Sequence, residues 1–488
     1  MTRNSVGVLV GGALAFGVAL AAYAMTVLAH PYTMWVMSDL RVYRWGGLLA
    51  RHSDSLYDRT IGGFGFTYAP FAAVIFAGLS ALPMTALRWL MTVAGLVSLV
   101  ASVGLAWRML GHRRGPALAG ATLLVAAAAL WTEPVQKTLW FGQINLILMA
   151  LVMADLRQGD RSRWKGIGIG IATAIKFTPG IFIAYLVLTR RFRAAAVSVA
   201  VVLLTIAVGF AALPHESAEF WGKRLFMAPG RVGPVDWVGD QSLNGMLVRL
   251  LGGENAARPY WLGAALVVGV CGLVLAARES RRGHELTAVV TCALTGLLIS
   301  PISWSHHWVW IAPALVLIAH PMVRPLRRSW IWIVGGLALE ALFGAWFFAV
   351  SRLPALPEGL IRTVPFGAHR EQRWHGTELV IGNLYVLAGL TALTALPALT
   401  AYRRSADARP SSAGARGVGG QVASGRDVAV PTPAASVDEH RGELQVPEER
   451  QTGAAEQQGD EHGAPIRENP TTTIVEDDLG ENRPHGRD

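Results

Sequence analysis

Cysteine is nearly missing from this chain: two among 488 residues, Cys271 and Cys292, each inside or beside an apolar run. Thiols so placed fill helix packing, and they supply no disulfide framework, metal cluster or redox argument. Strict polar–apolar alternation is also missing, which excludes a transmembrane β-barrel. No internal repeat suggests a transporter assembled from inverted halves. His306 and His307 stand adjacent in "SWSHHW" with no third ligand at metal-binding spacing, so no zinc site is expected.

What the chain has is apolar length. Hydrophobic residues make up 52% of it, tryptophan occurs 17 times, and the mean hydropathy is +0.38, a balance soluble domains of this size rarely show. Apolar runs of about 17–25 residues, each able to cross a roughly 30 Å hydrocarbon layer as a helix, recur from Val6 to Ala401. The expected fold is all-α, a polytopic transmembrane helical bundle of roughly eleven to thirteen crossings.

Charge is divided unevenly. Residues 405–488 hold 8 Lys and Arg against 16 Asp and Glu, leaving 35 against 17 in residues 1–404. The basic excess therefore sits in short loops such as "GHRRG", "RQGDRSRWK", "TRRFR" and "RESRRGHE". These mark cytoplasmic helix ends, not a nucleic-acid footprint, and no nucleic-acid partner is expected. Residues 405–488, rich in Gly, Ala, Pro, Ser and Glu with few large apolar side chains, cannot bury enough surface to fold alone. They are expected to form a disordered cytoplasmic tail beside a membrane domain of residues 1–404.

Val6–Ala29 reads as the first span; it is long for a signal peptide, and Arg3 suggests a cytoplasmic start. Residues 30–65 form an outer loop in which "DLRVYRWGGLLARHSDSLYD" has the helical spacing of a segment lying along the membrane surface. Phe66–Leu82 and Ala86–Met109 then break the alternation. If both cross, Arg113 and Arg114 fall outside, so either the Pro70-containing segment is short or re-entrant or the charge rule is broken once. "TEPVQKTLWFGQIN" is expected as an outer loop, Ile144–Asp155 as a return span and Trp330–Val350 as a late one. "GIGIGIATAIKFTPGIFIAYLVLT" is basic at both ends, which two half-helices meeting at Lys176–Pro179 would resolve.

This topology gathers Asp39, Arg41, Tyr43, Gln143, Asn145, Lys176, Arg224, Arg231, Asp240, Gln241, Asn244, His306 and His307 on the outer side. Each has an ordinary reading too. Asp39 is also what a solvated loop or helix cap would carry, the tryptophans around the histidine pair are also interfacial anchors, and Gln143 and Asn145 also suit helix–helix bonding. Lys176 is harder to dismiss, because a lysine inside an apolar stretch of this length is costly unless it snorkels or serves a function. A carboxylate among cations and amides beside a bilayer is what sugar transfer from a lipid phosphate requires. The acid takes a proton from an acceptor hydroxyl, and the cations balance the departing phosphate.

With "DLRVY", "LYD", "FTYAPFAAVIFAGLSALP", "LWFGQINLILMALV", "GIATAIKFTPGIFIAYLVLTRR", "DQSLNGMLVR" and "SPISWSHHW" in order, the chain resembles GT-C glycosyltransferases of family 87 from about Val6 to Arg404. These are polyprenol-phosphate-mannose-dependent mannosyltransferases of actinobacteria. The resemblance implies an α-1,2-mannosyltransferase acting outside the cytoplasmic membrane on phosphatidylinositol mannosides or lipomannan-type glycolipids. It maps the general base onto Asp39, with Asp54 and Asp58 as second choices. His306, His307, Lys176, Arg224 and Arg231 become candidates for the donor phosphate, and Tyr43, Gln143, Asn145, Gln241 and Asn244 for the donor sugar and its surroundings. No DxD pair stands in the first loop, in keeping with metal-independent members, so the expected co-substrate is polyprenyl-phosphate-mannose with no cofactor. The rival readings are a polyprenyl-phosphate-dependent arabinofuranosyltransferase and a polytopic lipid or polysaccharide transporter, the latter requiring paired broken helices in two halves.

Overall fold

Proline and glycine punctuate the chain, and helices begin or end where they stand. Pro70, Pro116, Pro134 and Pro214 each sit at the first or second position of a helix, where a missing backbone N–H costs nothing. Gly142 and Gly252 close helices in the left-handed conformation. The computed structural model describes residues 3–52, 54–223, 225, 231–320, 329–349 and 355–407. The helices in chain order are α1 (Arg3–Ala29), α2 (Pro31–Met34), α3 (Ser38–His52), α4 (Pro70–Leu79), α5 (Met84–Met109), α6 (Pro116–Leu130) and α7 (Glu133–Phe141). They continue with α8 (Asn145–Leu156), α9 (Ile167–Ile175), α10 (Ile181–Leu188), α11 (Phe192–Ala212), α12 (Pro214–Gly222) and α13 (Leu243–Leu251). The last are α14 (Glu254–Arg281), α15 (Glu285–Ile299), α16 (Ile311–Ala319), α17 (Ser329–Phe343), α18 (Thr377–Gly382) and α19 (Leu384–Asp407). Two small antiparallel hairpins interrupt them, β1 (Thr60–Ile61) with β2 (Phe64–Gly65) and β3 (Trp346–Ala349) with β4 (Ala355–Glu358).

Four helices, α1, α5, α11 and α14, are long and apolar enough to cross a membrane, and the bent pair α7 and α8 makes a fifth candidate if taken as one span. Their outward side chains are what a hydrocarbon surround calls for: Leu14 on α1, Leu203 on α11 and Leu266 on α14 are 65%, 60% and 68% exposed. Among the described residues, seven shorter apolar helices run 10–17 residues. Length and composition by themselves thus vouch for four or five crossings among the described residues, where counting every apolar run gave eleven to thirteen.

Three segments differ from expectation. The Phe66–Leu82 run becomes α4, ten residues and so about 15 Å long, half a bilayer; of the alternatives, this is the short segment. "TEPVQKTLWFGQIN" is not a loop but the buried helix α7 and a sharp corner into α8, bent by 116°. Trp330–Val350 does not run through, because α17 stops at Phe343 and the chain turns into β3, which pairs with β4. The expected break at Lys176–Pro179 is present. α9 ends at Ile175, Lys176 is extended, and a 3-10 turn Thr178–Gly180 leads into α10. From Ala408 on, the tail lies outside the described residues.

Candidate active site

The acid is set by a turn and a helix start. Met37 is fully buried with φ +52°, a conformation that costs an L side chain about 1–2 kcal/mol, and it delivers Asp39 into the first turn of α3. A carboxylate there faces the positive end of the helix dipole. Of the face expected from the helical spacing, Leu40, Tyr43 and Gly47 are buried, whereas Leu48 and Ala50 are half-buried and Leu49 is turned in instead. Leu40, Val42, Tyr43, Gly46, Gly47 and Leu49 are buried, and α3 lies flush on α4. That closeness requires Gly47, since a Cβ there would stand 2.2 Å from the Phe76 carbonyl oxygen.

The partner of the acid comes from the α7–α8 corner. Gly142 has φ +67°, and a Cβ on it would stand 2.7 Å from Leu40 Cβ, so only glycine lets the corner dock on the start of α3. The corner aims Gln143 at Asp39. The Gln143 amide Nε2 donates to Asp39 Oδ2, and Tyr43 donates its hydroxyl proton to Gln143 Oε1 at 2.7 Å. Ser38 Oγ donates to the other Asp39 oxygen at 3.2 Å. One step on, Asn145 Nδ2 donates to the His306 carbonyl at 2.8 Å while its Oδ1 accepts from Lys176 Nζ at 2.9 Å.

Lys176 emerges where the α9 ladder is interrupted, and it also contacts His307 Nε2 at 2.9 Å. Its charge lies near enough to Asp39 to favour ionisation of that carboxyl. Asp39, on a helix outside the candidate spans, is nevertheless raised above its ordinary value, because burial outweighs the Gln143 hydrogen bond and the Lys176 charge. The exposure pattern sorts these residues. Tyr43, Gln143, Asn145 and His306 are buried, whereas Asp39, Lys176 and His307 are half-buried. The groups able to accept a proton or balance an anion are therefore the reachable ones. His306 Nε2 and His307 Nδ1 are buried atoms without a hydrogen-bond partner among the described residues, donors or acceptors left for something else. Asn145 and His307 also line a small cavity with Leu148, Met149, Thr178, Phe182, Leu297 and Trp310, of mixed polar and apolar character.

The histidines are carried by a 3-10 turn, Ser305–Trp310, packed on α7. "DQSLNG" holds the extended segment leading into it. Asp240, fully buried, accepts from Ser303 N at 2.8 Å and Ser242 N at 3.1 Å; Gln241 N donates to the Ser303 carbonyl; Asn244 Nδ2 donates to the Pro301 carbonyl. Gln241 Nε2 further bonds the Val238 and Gly382 carbonyls. Gln241 thus spends its amide on backbone, Nε2 on Val238 and Gly382 and Oε1 on Tyr385 N, in contrast to the donor-contacting role expected of it, while Asn244 ties the backbone behind the histidine turn through one N–H. Burial pushes the Asp240 carboxyl up to about 6. Asp240→Ala leaves two buried N–H groups without their acceptor, and a loss of about 2–5 kcal/mol is expected, read as a lower unfolding temperature in detergent.

Other expected residues stay apart. Arg231 donates to the Tyr57 and Phe66 carbonyls at 3.3 and 3.4 Å and lies over the Tyr57 ring, bracing the loop before α4. Asp54 pairs with Arg59 in solvent, and Asp58 accepts from Ser55; neither is bonded to the Asp39 group. Arg224 lies outside the described residues. Sequence reasoning missed Tyr68, whose hydroxyl meets that of Tyr43 at 2.9 Å, although it stands in the quoted "FTYAPF". It also missed a second buried network, in which Lys137 pairs with Glu358 at 2.7 Å and Glu133 accepts from Ser305 and Tyr385. Its signal was two opposite charges within a stretch taken for a loop. Among the described residues, no group of three or more His, Cys, Asp or Glu side chains is placed to hold a metal ion.

The family model described as "Glycosyltransferase family 87" matches residues 66–301, which include Gln143, Asn145 and Lys176. The chain is 35% identical over 321 residues to the polyprenol-phosphate-mannose-dependent alpha-(1-2)-phosphatidylinositol mannoside mannosyltransferase of Mycobacterium tuberculosis strain H37Rv, covering 62% of this chain and 74% of that protein. It is 37% identical over 310 residues to a polyprenol-phosphate-mannose-dependent alpha-(1-2)-phosphatidylinositol pentamannoside mannosyltransferase of another strain of that species, covering 61% and 70%. The mannoside enzyme of Mycolicibacterium smegmatis is 32% identical over 346 residues, covering 66% and 76%. No solved structure matches this chain.

Proposed function

The chain belongs to glycosyltransferase family 87, and from that premise we propose that it transfers mannose from polyprenyl-phosphate-mannose to a phosphatidylinositol-mannoside or lipomannan-type glycolipid, forming an α-1,2 linkage with inversion. The relatives' activities support the chemistry, and one observation in this chain carries the assignment of residues. A half-buried acid and the Lys176–His307 pair share one corner, joined through Gln143 and Asn145.

Asp39 takes the proton of the acceptor's 2-hydroxyl as that oxygen attacks the anomeric carbon. The new C–O bond forms on the face opposite the phosphate, the bond to the phosphate oxygen breaks, and polyprenyl phosphate leaves. Lys176 and His307 face the leaving oxygens, where preorganised donors act most strongly. We place this site on the extracytoplasmic face of the cell membrane, residues 1–404 as the transferase domain and residues 405–488 as a cytoplasmic tail.

The transporter reading asks for broken helices in two halves. The breaks at Gly142–Ile144 and Lys176–Pro179 both fall within residues 133–188 and converge on one site, and so are not a matched pair in two halves. The pentose reading is separated by assay. Purified protein given polyprenyl-phosphate-mannose and a phosphatidylinositol-mannoside acceptor is expected to yield a product heavier by one hexose in mass spectrometry, and none with the arabinose donor. Pentose addition, or no addition with either donor, would overturn the assignment.

A further inference from the structure

Tyr43 belongs to the polar group at the corner but is nearly closed to solvent, 2% exposed, so it is poorly placed to meet a sugar. Its ring is clamped, stacked on Phe76 at 4.6 Å and edge-on to Tyr68 at 5.2 Å. That leaves the hydroxyl one position, between Tyr68 and Gln143. A phenol has one proton. Since Tyr43 gives it to Gln143 Oε1, the proton between the two phenols belongs to Tyr68, and the chain runs in one direction: Tyr68 to Tyr43, Tyr43 to Gln143, Gln143 to Asp39.

The consequence falls on the amide. A glutamine beside a carboxylate can present its NH2 or its carbonyl. With the NH2 toward Asp39 it supports the ionised acid, and with the carbonyl toward Asp39 it accepts a proton from the neutral acid. With Tyr68 donating into the Tyr43 oxygen, the Tyr43 proton is left for Gln143, which favours the carbonyl on that side and the NH2 toward Asp39. We propose that Tyr43 is a positioning residue for the transfer reaction: its clamped hydroxyl holds the Gln143 amide with NH2 facing Asp39, keeping that acid ready to take the acceptor's proton. This rests on the reading of Asp39 as the base.

The other groups around Asp39 do not replace this control. Ser38 Oγ bonds the opposite oxygen, Lys176 contributes charge without orienting the amide, Arg88 of α5 bonds the Val36 carbonyl, and His307 faces Lys176. In Tyr43→Phe the ring and its stacking remain while the selecting proton is gone, so the amide can turn and Asp39 holds its proton to higher pH.

The test is the pH dependence of kcat and of the donor KM, in detergent, for the parent protein, Tyr43→Phe, Gln143→Leu and Asp39→Asn, with folding checked by thermal unfolding and size exclusion. Tyr43→Phe is expected to lower kcat on the acid limb by up to about threefold, leave the donor KM unchanged, and move that limb up by about half a unit. Gln143→Leu, which removes both ends of the amide, should move the limb at least as far, and it decides the matter if Tyr43→Phe fails to fold. A folded Tyr43→Phe or Gln143→Leu protein whose acid limb superimposes on the parent's overturns the proposal, while an inactive Asp39→Asn leaves the base assignment intact. Activity in Asp39→Asn would instead remove the base assignment itself.

Discussion

Asp39→Asn is expected to lower kcat by about 10²–10⁴-fold, the range a positioned general base contributes, with the donor still bound. The amide keeps the size of the side chain and its contact with Gln143 but cannot take the acceptor's proton. The protein should not suffer for the change. Because burial raises the native carboxyl above its unfolded value, the stability connected with its protonation is full at low pH and is lost as pH rises through the native value. At neutral pH the ionised acid is therefore a cost, and the asparagine variant should unfold at the same temperature or higher. The parent's activity should show the complementary sign, rising with pH along a limb displaced above the ordinary carboxylate range. A variant that is folded and still fully active would disprove the role of Asp39.

Lys176→Met should cost about 10²–10³-fold in kcat/KM, the loss typical of removing one preorganised donor from a developing charge. It should also shift the remaining activity. Lys176 is among the groups that favour the ionised form of Asp39, so without it the acid limb moves further up. The two losses arise in one constellation and should be strongly non-additive when combined with Asp39→Asn. Single-turnover measurement with labelled donor separates the transfer step from donor binding. If Lys176→Met kept both its transfer rate and its pH profile, the lysine would be a snorkelling residue and no part of the site.

Gln143 and Gln241 illustrate how far polar residue type can be trusted. Both amides are expected on the outer side, and in a linear reading they are equivalent. Gln143 follows a glycine that ends α7 in the left-handed conformation, and the resulting corner brings its amide to an acid 104 residues away. Gln241 spends its amide on the Val238 and Gly382 carbonyls. The difference lies in where backbone carbonyls are left without partners, which depends on segments far apart in the chain.

By itself the sequence determined that this is a helical membrane protein, because apolar length and the lack of alternation permit little else. It also pointed to the break at Lys176–Pro179, because a lysine and a proline three residues apart inside an apolar run that is basic at both ends are hard to fit into one continuous span; Pro259, inside the unbroken α14, shows that a proline by itself does not decide it. Tertiary structure alone decided that α4 covers half a bilayer, that "TEPVQKTLWFGQIN" is a buried helix and corner, and which amides meet Asp39. Helix boundaries and side-chain partners are settled by packing between distant segments, and hydropathy along a single strand of sequence contains no term for that.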